Sequence, residues 1–295
     1  MTFQALPYIL LQGFLFGSTL VASRFGVGQF SPLTYIGLRM VLASLCHIAV
    51  IYVARHGRWP RGPGLWRSAA LLGIFGTAIP MAAFVSSLQY QSAGLTSVLL
   101  TSGSAVTVLM AHFFLPDERL SPLKAAGVSL ALAGALLLIV LGESGLPGVG
   151  RANPLGYALV LAAVVSGSSM TIYARKYMRD YDYLDVASVR MFVAALALMP
   201  LSLLLVGLDL GNVDAWGYAA LVYATLVGTF AGLMLAFYNV KRFGATASAM
   251  PLYVIPVVAT LGGALLLGER ITAGMLAGMT CIVLGIGLIN RASRR

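Results

Sequence analysis

The chain has 295 residues, of which 59% are hydrophobic and only 9% charged, with a formal net charge of +10. A mean hydropathy of +0.91, with apolar residues spread from end to end, excludes a soluble domain and also a polar globule carried on a single anchor. The basic excess would suggest nucleic acid in a soluble protein. In a chain this apolar it reads instead as the cytoplasmic charge bias of membrane proteins, and no nucleic-acid partner is expected.

Taken in chain order, apolar segments near 5–23, 32–54, 67–90, 93–115, 121–141, 154–178, 183–206, 215–240, 244–267 and 272–290 are separated by short polar or Gly/Pro breaks. Each is close to the ~20 residues needed to cross ~30 Å of hydrocarbon. Met1–Ala22 has no basic stretch ahead of its apolar run and is read as a span, not as a cleaved signal peptide. Cys46 and Cys281 lie inside apolar runs with no metal or disulfide spacing, so buried, inert thiols are expected. With the N-terminus in the cytoplasm, the cytoplasmic side holds Arg55, Arg58, Arg61, Arg67, Arg119, Lys124, Arg175, Lys176, Arg179, Arg190, Lys241, Arg242, Arg291, Arg294 and Arg295. Only Arg24, Arg39, Arg151 and Arg270 fall outside, so both termini are expected in the cytoplasm.

A repeat explains most of those exceptions. A shift of 151 residues maps Arg24 on Arg175, Arg39 on Arg190, Met40 on Met191, Glu118 on Glu269, Arg119 on Arg270, Gly127 on Gly278 and Gly134 on Gly285. Five crossings per half make the second half enter from the opposite side. The expected fold is therefore an all-α integral membrane protein, with ten transmembrane helices in two inverted repeats, residues 1–144 and 152–295. Halves related in this way can rock about a central site, which points to movement of a solute rather than to a structural role.

The stretches "SPLTYIGLRMVLA", "LPDERLSPLKAAGVSLALAG" and "ATASAMPLYVIPVVATLGGALLLGERITAGMLAGMTCIVLGIGLI" resemble the EamA-type branch of the drug/metabolite transporter superfamily over nearly the whole chain. The resemblance implies a bacterial inner-membrane exporter of small metabolites, most similar to the family's aromatic amino-acid exporters. It also implies a central cavity enclosed by helices 1, 3, 4, 6, 8 and 9, with helices 5 and 10 at the periphery.

The residues themselves add chemistry. The nine acids, Asp117, Glu118, Glu143, Asp180, Asp182, Asp185, Asp209, Asp214 and Glu269, all map to helix ends or loops. A buried carboxylate relay is therefore not expected, and ion coupling should be weak or absent. His47 is the one proton-coupling candidate, although a structural histidine is the simpler reading. Ser97, Thr101 and Ser104 share one face of helix 4, and Ser166, Ser169 and Tyr173 one face of helix 6. Helix 1 offers Phe16 and Ser18, with Gln12 nearby. Helix 3 offers Thr77, Pro80, Met81 and Phe84; helix 8 offers Tyr223, Thr229 and Phe237; helix 9 offers Thr246, Met250 and Tyr253. Of these, Phe16, Ser18, Thr77, Met81, Phe84, Thr101, Ser104, Ser166, Ser169, Tyr173, Thr229, Met250 and Tyr253 form the candidate substrate site. The competing reading is helix packing, since small and hydroxyl residues let membrane helices approach closely.

Pro251 and Pro256 are each expected to free a backbone carbonyl, toward a cavity or into a plain kink. Arg39 and Arg190 lie about two turns inside their helices, and snorkelling to the interface is favoured over substrate contact. Glu118 and Glu269 read as N-terminal caps of helices 5 and 10. The expected cargo is a small zwitterion with an apolar or aromatic side chain, moved by alternating access, with no cofactor and no metal. The lipid bilayer is the only partner expected besides the cargo, and a monomer suffices. The alternative is export of lipophilic cations or drugs. A lipid scramblase or an intramembrane enzyme is disfavoured, the latter because no HExxH, GxSxG or paired-carboxylate pattern is present.

Overall fold

The computed structural model describes residues 3–54, 56, 59–116, 118–208 and 210–293. Arg55, Arg58, Asp117, Asp209, Arg294 and Arg295 lie outside them, as do the side chains of Phe237 and Thr246. Among the described residues all regular structure is helical.

Ten segments can be followed: α1 (Leu6–Gly26), α2 (Pro32–Ala54), α3 (Pro63–Ser87), α4 (Ala93–Phe114), α5 (Pro122–Leu141), α6 (Pro154–Tyr177), α7 (Tyr183–Leu205), α8 (Ala215–Tyr223, continuing to Ser248), α9 (Pro251–Leu267) and α10 (Ala273–Ala292). Among the described residues nine are long and apolar enough to cross a membrane, and α9 is a shorter apolar helix of 17 residues. Leucines on the outer face, such as Leu204 and Leu265, are more than four-fifths exposed. That is tolerable in hydrocarbon and costly in water.

The helix starts follow from local chemistry. Ser92, Ser121, Asn153, Asp182, Asp214 and Thr272 each accept a backbone N–H of the first turn of α4, α5, α6, α7, α8 and α10. Such caps satisfy donors that have no partner within the helix. Two helices are not uniform. Ile74–Ala78 in α3 and Ala224–Gly232 in α8 are π-helical. These two stretches occupy matching places in the two halves.

The packing shows the pseudo-two-fold. α2 packs on α7 and α5 on α10, each helix against its own counterpart. The remaining contacts come in matched sets: α1 against α9 and α8, α6 against α4 and α3. Nearly every large interface thus joins one half to the other. The peripheral α5–α10 pair approaches backbone to backbone. A Cβ on Gly127 would lie 2.6 Å from Gly285 O, and one on Gly134 would lie 2.9 Å from Gly278 O. Glycine is therefore required at this crossing, as in other close membrane helix pairs.

The two cysteines are free and partly exposed, so the expectation of buried thiols is corrected. Pro251 opens α9 at its first position, where no helix hydrogen bond is lost, so it does not free a carbonyl as expected. Only Pro256 lies inside that helix.

Gly285→Ala should lower stability in detergent by about 1–3 kcal/mol, because its Cβ would meet backbone atoms of α5 that cannot move aside. Gly287→Ala, two residues on with open space around it, should leave the unfolding temperature unchanged. Thermal unfolding of the two variants side by side checks this; equal melting temperatures would refute the close-approach account.

Candidate functional site

Where the halves meet, a cavity of about 290 Å³ opens between α1, α2, α3, α4, α7, α8 and α9. Its wall is mostly apolar: Phe16, Leu20, Met40, Pro80, Met81, Phe84, Leu100, Met191, Leu233, Leu252 and Ile255. The hydroxyls of Thr19, Thr77, Ser97, Thr101 and Thr229 break that surface, and so do two guanidiniums, Arg39 and Arg190.

Each arginine is held by the opposite half, with Ser23 of its own half as a further partner for Arg39. Arg39 of α2 donates from Nε to Thr229 Oγ1 at 2.9 Å and from Nη1 to Ser23 Oγ at 3.0 Å. Arg190 of α7 donates from Nε to Thr77 Oγ1, and from Nη2 to Gly76 O at 2.6 Å. Gly76-Thr77 and Gly228-Thr229 both lie in the π-helical stretches. The wider π turn displaces carbonyls from the regular ladder, so Gly76 O is available to accept from Arg190. Ser166 Oγ of α6 donates to Phe75 O in the same stretch. Thr77 and Thr229 in turn donate to Leu72 O and Ala224 O, each five residues back.

Arg39 is 3% exposed. The expectation that the two arginines snorkel to the interface is corrected: they turn inward, because the π stretches place acceptors there. Among the described residues neither makes an ion pair with a carboxylate. Among the described residues the spans hold no buried acid, but the cavity is not uncharged.

Of the candidate residues, Phe16, Thr77, Met81, Phe84, Thr101 and Thr229 line this cavity. The others lie elsewhere. Ser18 faces a lateral groove and shares a hydrogen bond of 2.9 Å with Tyr223 Oη. Ser104 donates to Thr101 O within its own helix, and Ser166 stitches α6 to α3. Ser169 donates to Val165 O and approaches Met110 Sδ. Tyr173 stacks on Tyr177, with ring centroids 4.8 Å apart. Met250 packs by Ala5 and Ile9, and Tyr253 Oη accepts from Asn290 Nδ2 of α10 at 2.8 Å. The shared reason is that hydroxyl and aromatic groups also serve to satisfy backbone and pack helices. His47 is fully buried against Phe230, 5.7 Å between ring centroids, and does not line the cavity.

At the membrane faces stand two further cross-half ties, made from the repeat's own Arg and Glu. On the face where α1 ends, Glu269 accepts the Ala93 N–H at 2.9 and 3.1 Å, with Arg24 Nε 3.7 Å away. On the other face Glu118 pairs with Arg175 at 2.6 Å and with Lys124 at 3.4 Å. The expectation that these acids cap α5 and α10 is corrected. Ser121 and Thr272 cap those helices, and Glu269 caps α4 instead.

The fold shifts the two carboxyls in opposite directions. The Arg175 hydrogen bond holds Glu118 below the ordinary carboxylate value of 4.5. Its contribution is thus present above pH 4.5 and is lost as pH falls through the lower folded-state value. Burial raises Glu269, against the opposing pull of the Ala93 N–H and Arg24. Its contribution is fullest below 4.5 and declines as pH rises through the folded-state value.

A sequence model of the EamA-like transporter family matches this chain twice, over residues 4–140 and 154–291. An "uncharacterized transporter" of Archaeoglobus fulgidus is 26% identical, with 93% of this chain and 94% of that protein aligned. A "probable amino-acid metabolite efflux pump" of Salmonella typhimurium is 30% identical, with 94% and 91% aligned. One solved structure, titled only as a crystal structure of protein, superposes over 99% of this chain and 97% of its own, with a TM-score of 0.62 at 22% identity. That likeness is one of fold.

Glu269→Ala removes the acceptor of the buried Ala93 N–H and should cost about 1–3 kcal/mol. Glu269→Gln keeps an oxygen in place and should cost clearly less. Thermal unfolding of both variants in detergent measures the difference, and indistinguishable values would mean that Glu269 does not cap α4.

Proposed function

We propose, from the premise that the chain belongs to the EamA-like transporter family and is a multi-pass membrane transporter, that it exports small metabolites bearing a carboxylate and an apolar side chain. Amino acids such as phenylalanine or methionine are the foremost case. The observation that carries this reading is the pair of cavity guanidiniums held by neutral partners inside an otherwise apolar wall. A carboxylate completes their electrostatics, and an apolar side chain fits Phe16, Met81 and Phe84. A volume near 290 Å³ lies at the low end of ligand pockets, which suits a small solute. The name of the Salmonella relative points the same way and supplies the direction, efflux.

The same charges work against a lipophilic cation, which would enter a positive cavity at a Coulombic cost. The family is one of transporters, which supports transport over an intramembrane enzyme or a scramblase. The distribution of basic residues supports an inner-membrane orientation with both termini cytoplasmic. With all nine acids at helix ends or loops, passage is read as facilitated or only weakly ion-coupled.

In liposomes containing the purified protein, labelled phenylalanine and methionine should cross without a pH gradient, and a cationic dye should not. Transport of the dye alone would overturn the carboxylate reading. Strict dependence on a proton gradient would overturn the facilitated one and direct attention to His47.

A further inference from the structure

Arg39 and Arg190 meet in one cavity but come to it from opposite sides of the membrane. With ten alternating crossings, α7 starts on the face where α1 starts, and α2 starts on the other. Each arginine lies seven residues beyond the first residue of its helix, about 10 Å along the axis at 1.5 Å per residue. One guanidinium therefore stands on the way to each face.

Neither is fully committed. Nε and Nη1 of Arg39, and Nε and Nη2 of Arg190, are donated to neutral oxygens. Nη2 of Arg39 and Nη1 of Arg190 have no acceptor among the described residues. A carboxylate takes two parallel N–H donors, and a charged acceptor forms a bond roughly twice as strong as a neutral one. Each guanidinium has five N–H donors and spends two of them on neutral oxygens. A cargo carboxylate can therefore pair with the free terminal nitrogen and, as the stronger acceptor, draw the guanidinium away from the oxygens that hold it. Apart from Ser23, those acceptors belong to the opposite half of the protein: Thr229 for Arg39, Thr77 and Gly76 for Arg190.

We infer that Arg39 and Arg190 are two carboxylate stations used in sequence, one serving each membrane face, and that occupancy of a station weakens a tie between the halves in favour of a bond to cargo. This rests on the carboxylate cargo proposed above. It makes the pair determinants of specificity and also gives binding a direct route to the contact between the halves. Thr77 and Thr229 are the positioning residues: they aim a guanidinium and give it up.

The test is zero-trans uptake in proteoliposomes of defined orientation, measured from each face with phenylalanine, 3-phenylpropionate and phenethylamine. Arg190→Gln should raise KM at least about tenfold from the face where α1 begins and much less from the other. Arg39→Gln should do the reverse. Lysine at either position keeps the charge without the fork and should restore part of the loss. Thr77→Val and Thr229→Val each loosen one guanidinium without removing its charge, so KM should change only from the face that arginine serves, Thr77 with Arg190 and Thr229 with Arg39. Melting temperatures in detergent identify any variant that has not folded, and the threonine variants then carry the test.

If phenylalanine is carried but each arginine variant affects both faces alike, the two stations are refuted while the amino-acid reading stands. If 3-phenylpropionate is carried with the predicted sidedness and phenylalanine is not, the stations stand and the amino-acid reading falls. If only phenethylamine is carried, both fall. If the threonine variants change KM equally from both faces, the arginines serve structure rather than cargo.

Discussion

A guanidinium cannot shed its charge, and a membrane protein offers it little water. Two of them placed between the halves of this chain dictate much of what surrounds them. Each needs oxygen acceptors at a fixed depth, and a regular α-helix has none to spare, since its carbonyls are taken by N–H groups four residues on. The π-helical stretches in α3 and α8 solve this. They offer Thr77, Gly76 O and Thr229 toward the interior, and they put glycine beside threonine where the chain passes close to its neighbours. Gly228 stands against Thr19, where a Cβ would come within 2.3 Å of Oγ1. The cavity, its polarity and the contact between halves are thus set by one requirement.

The two halves carry the same pattern but do not adopt the same conformation. Glu269 is buried and grips the first N–H of α4, while Glu118 stays partly exposed and pairs only with side chains among the described residues. The helix ends differ in step with this. α4 starts at Ala93, whereas in the second half α8 runs on to Ser248 and α9 starts at Pro251. Inverted repeats that exchange access need such inequality, because a symmetric molecule would present the same opening to both faces.

Much of this was legible from residue order. The ten apolar runs mark the helices, the 151-residue spacing pairs them into two halves of five, and the odd number inverts one half against the other. The residues in register, Arg24 with Arg175 and Glu118 with Glu269, turn out to form the face ties. The inward turn of Arg39 and Arg190 was not legible, because snorkelling and burial differ only in where acceptors lie, and that is tertiary. One signal did exist. Gly76-Thr77 recurs as Gly228-Thr229 at a spacing of 152, one residue off the arginine register. That recurrence marks the two helices that hold the arginines. Ser166 and Tyr253 show the reverse failure: the right chemistry on plausible helices, spent on Phe75 O and on Asn290. Hydroxyls in membrane helices have two employments, and helical periodicity alone does not separate them.

The choice of neutral partners for the arginines carries the functional meaning. An aspartate in place of Thr229 would hold Arg39 more strongly and neutralise one of the cavity's two positive charges. It would also oppose any carboxylate cargo by repulsion and by competition for the same donors. A threonine fixes the guanidinium's direction while leaving its charge available. The cost is a buried cation only partly compensated, which the family of packed hydroxyls from Thr19 to Ser97 softens without cancelling. A cavity built in this way attracts an anion but does not clamp it, and a transporter must release what it binds.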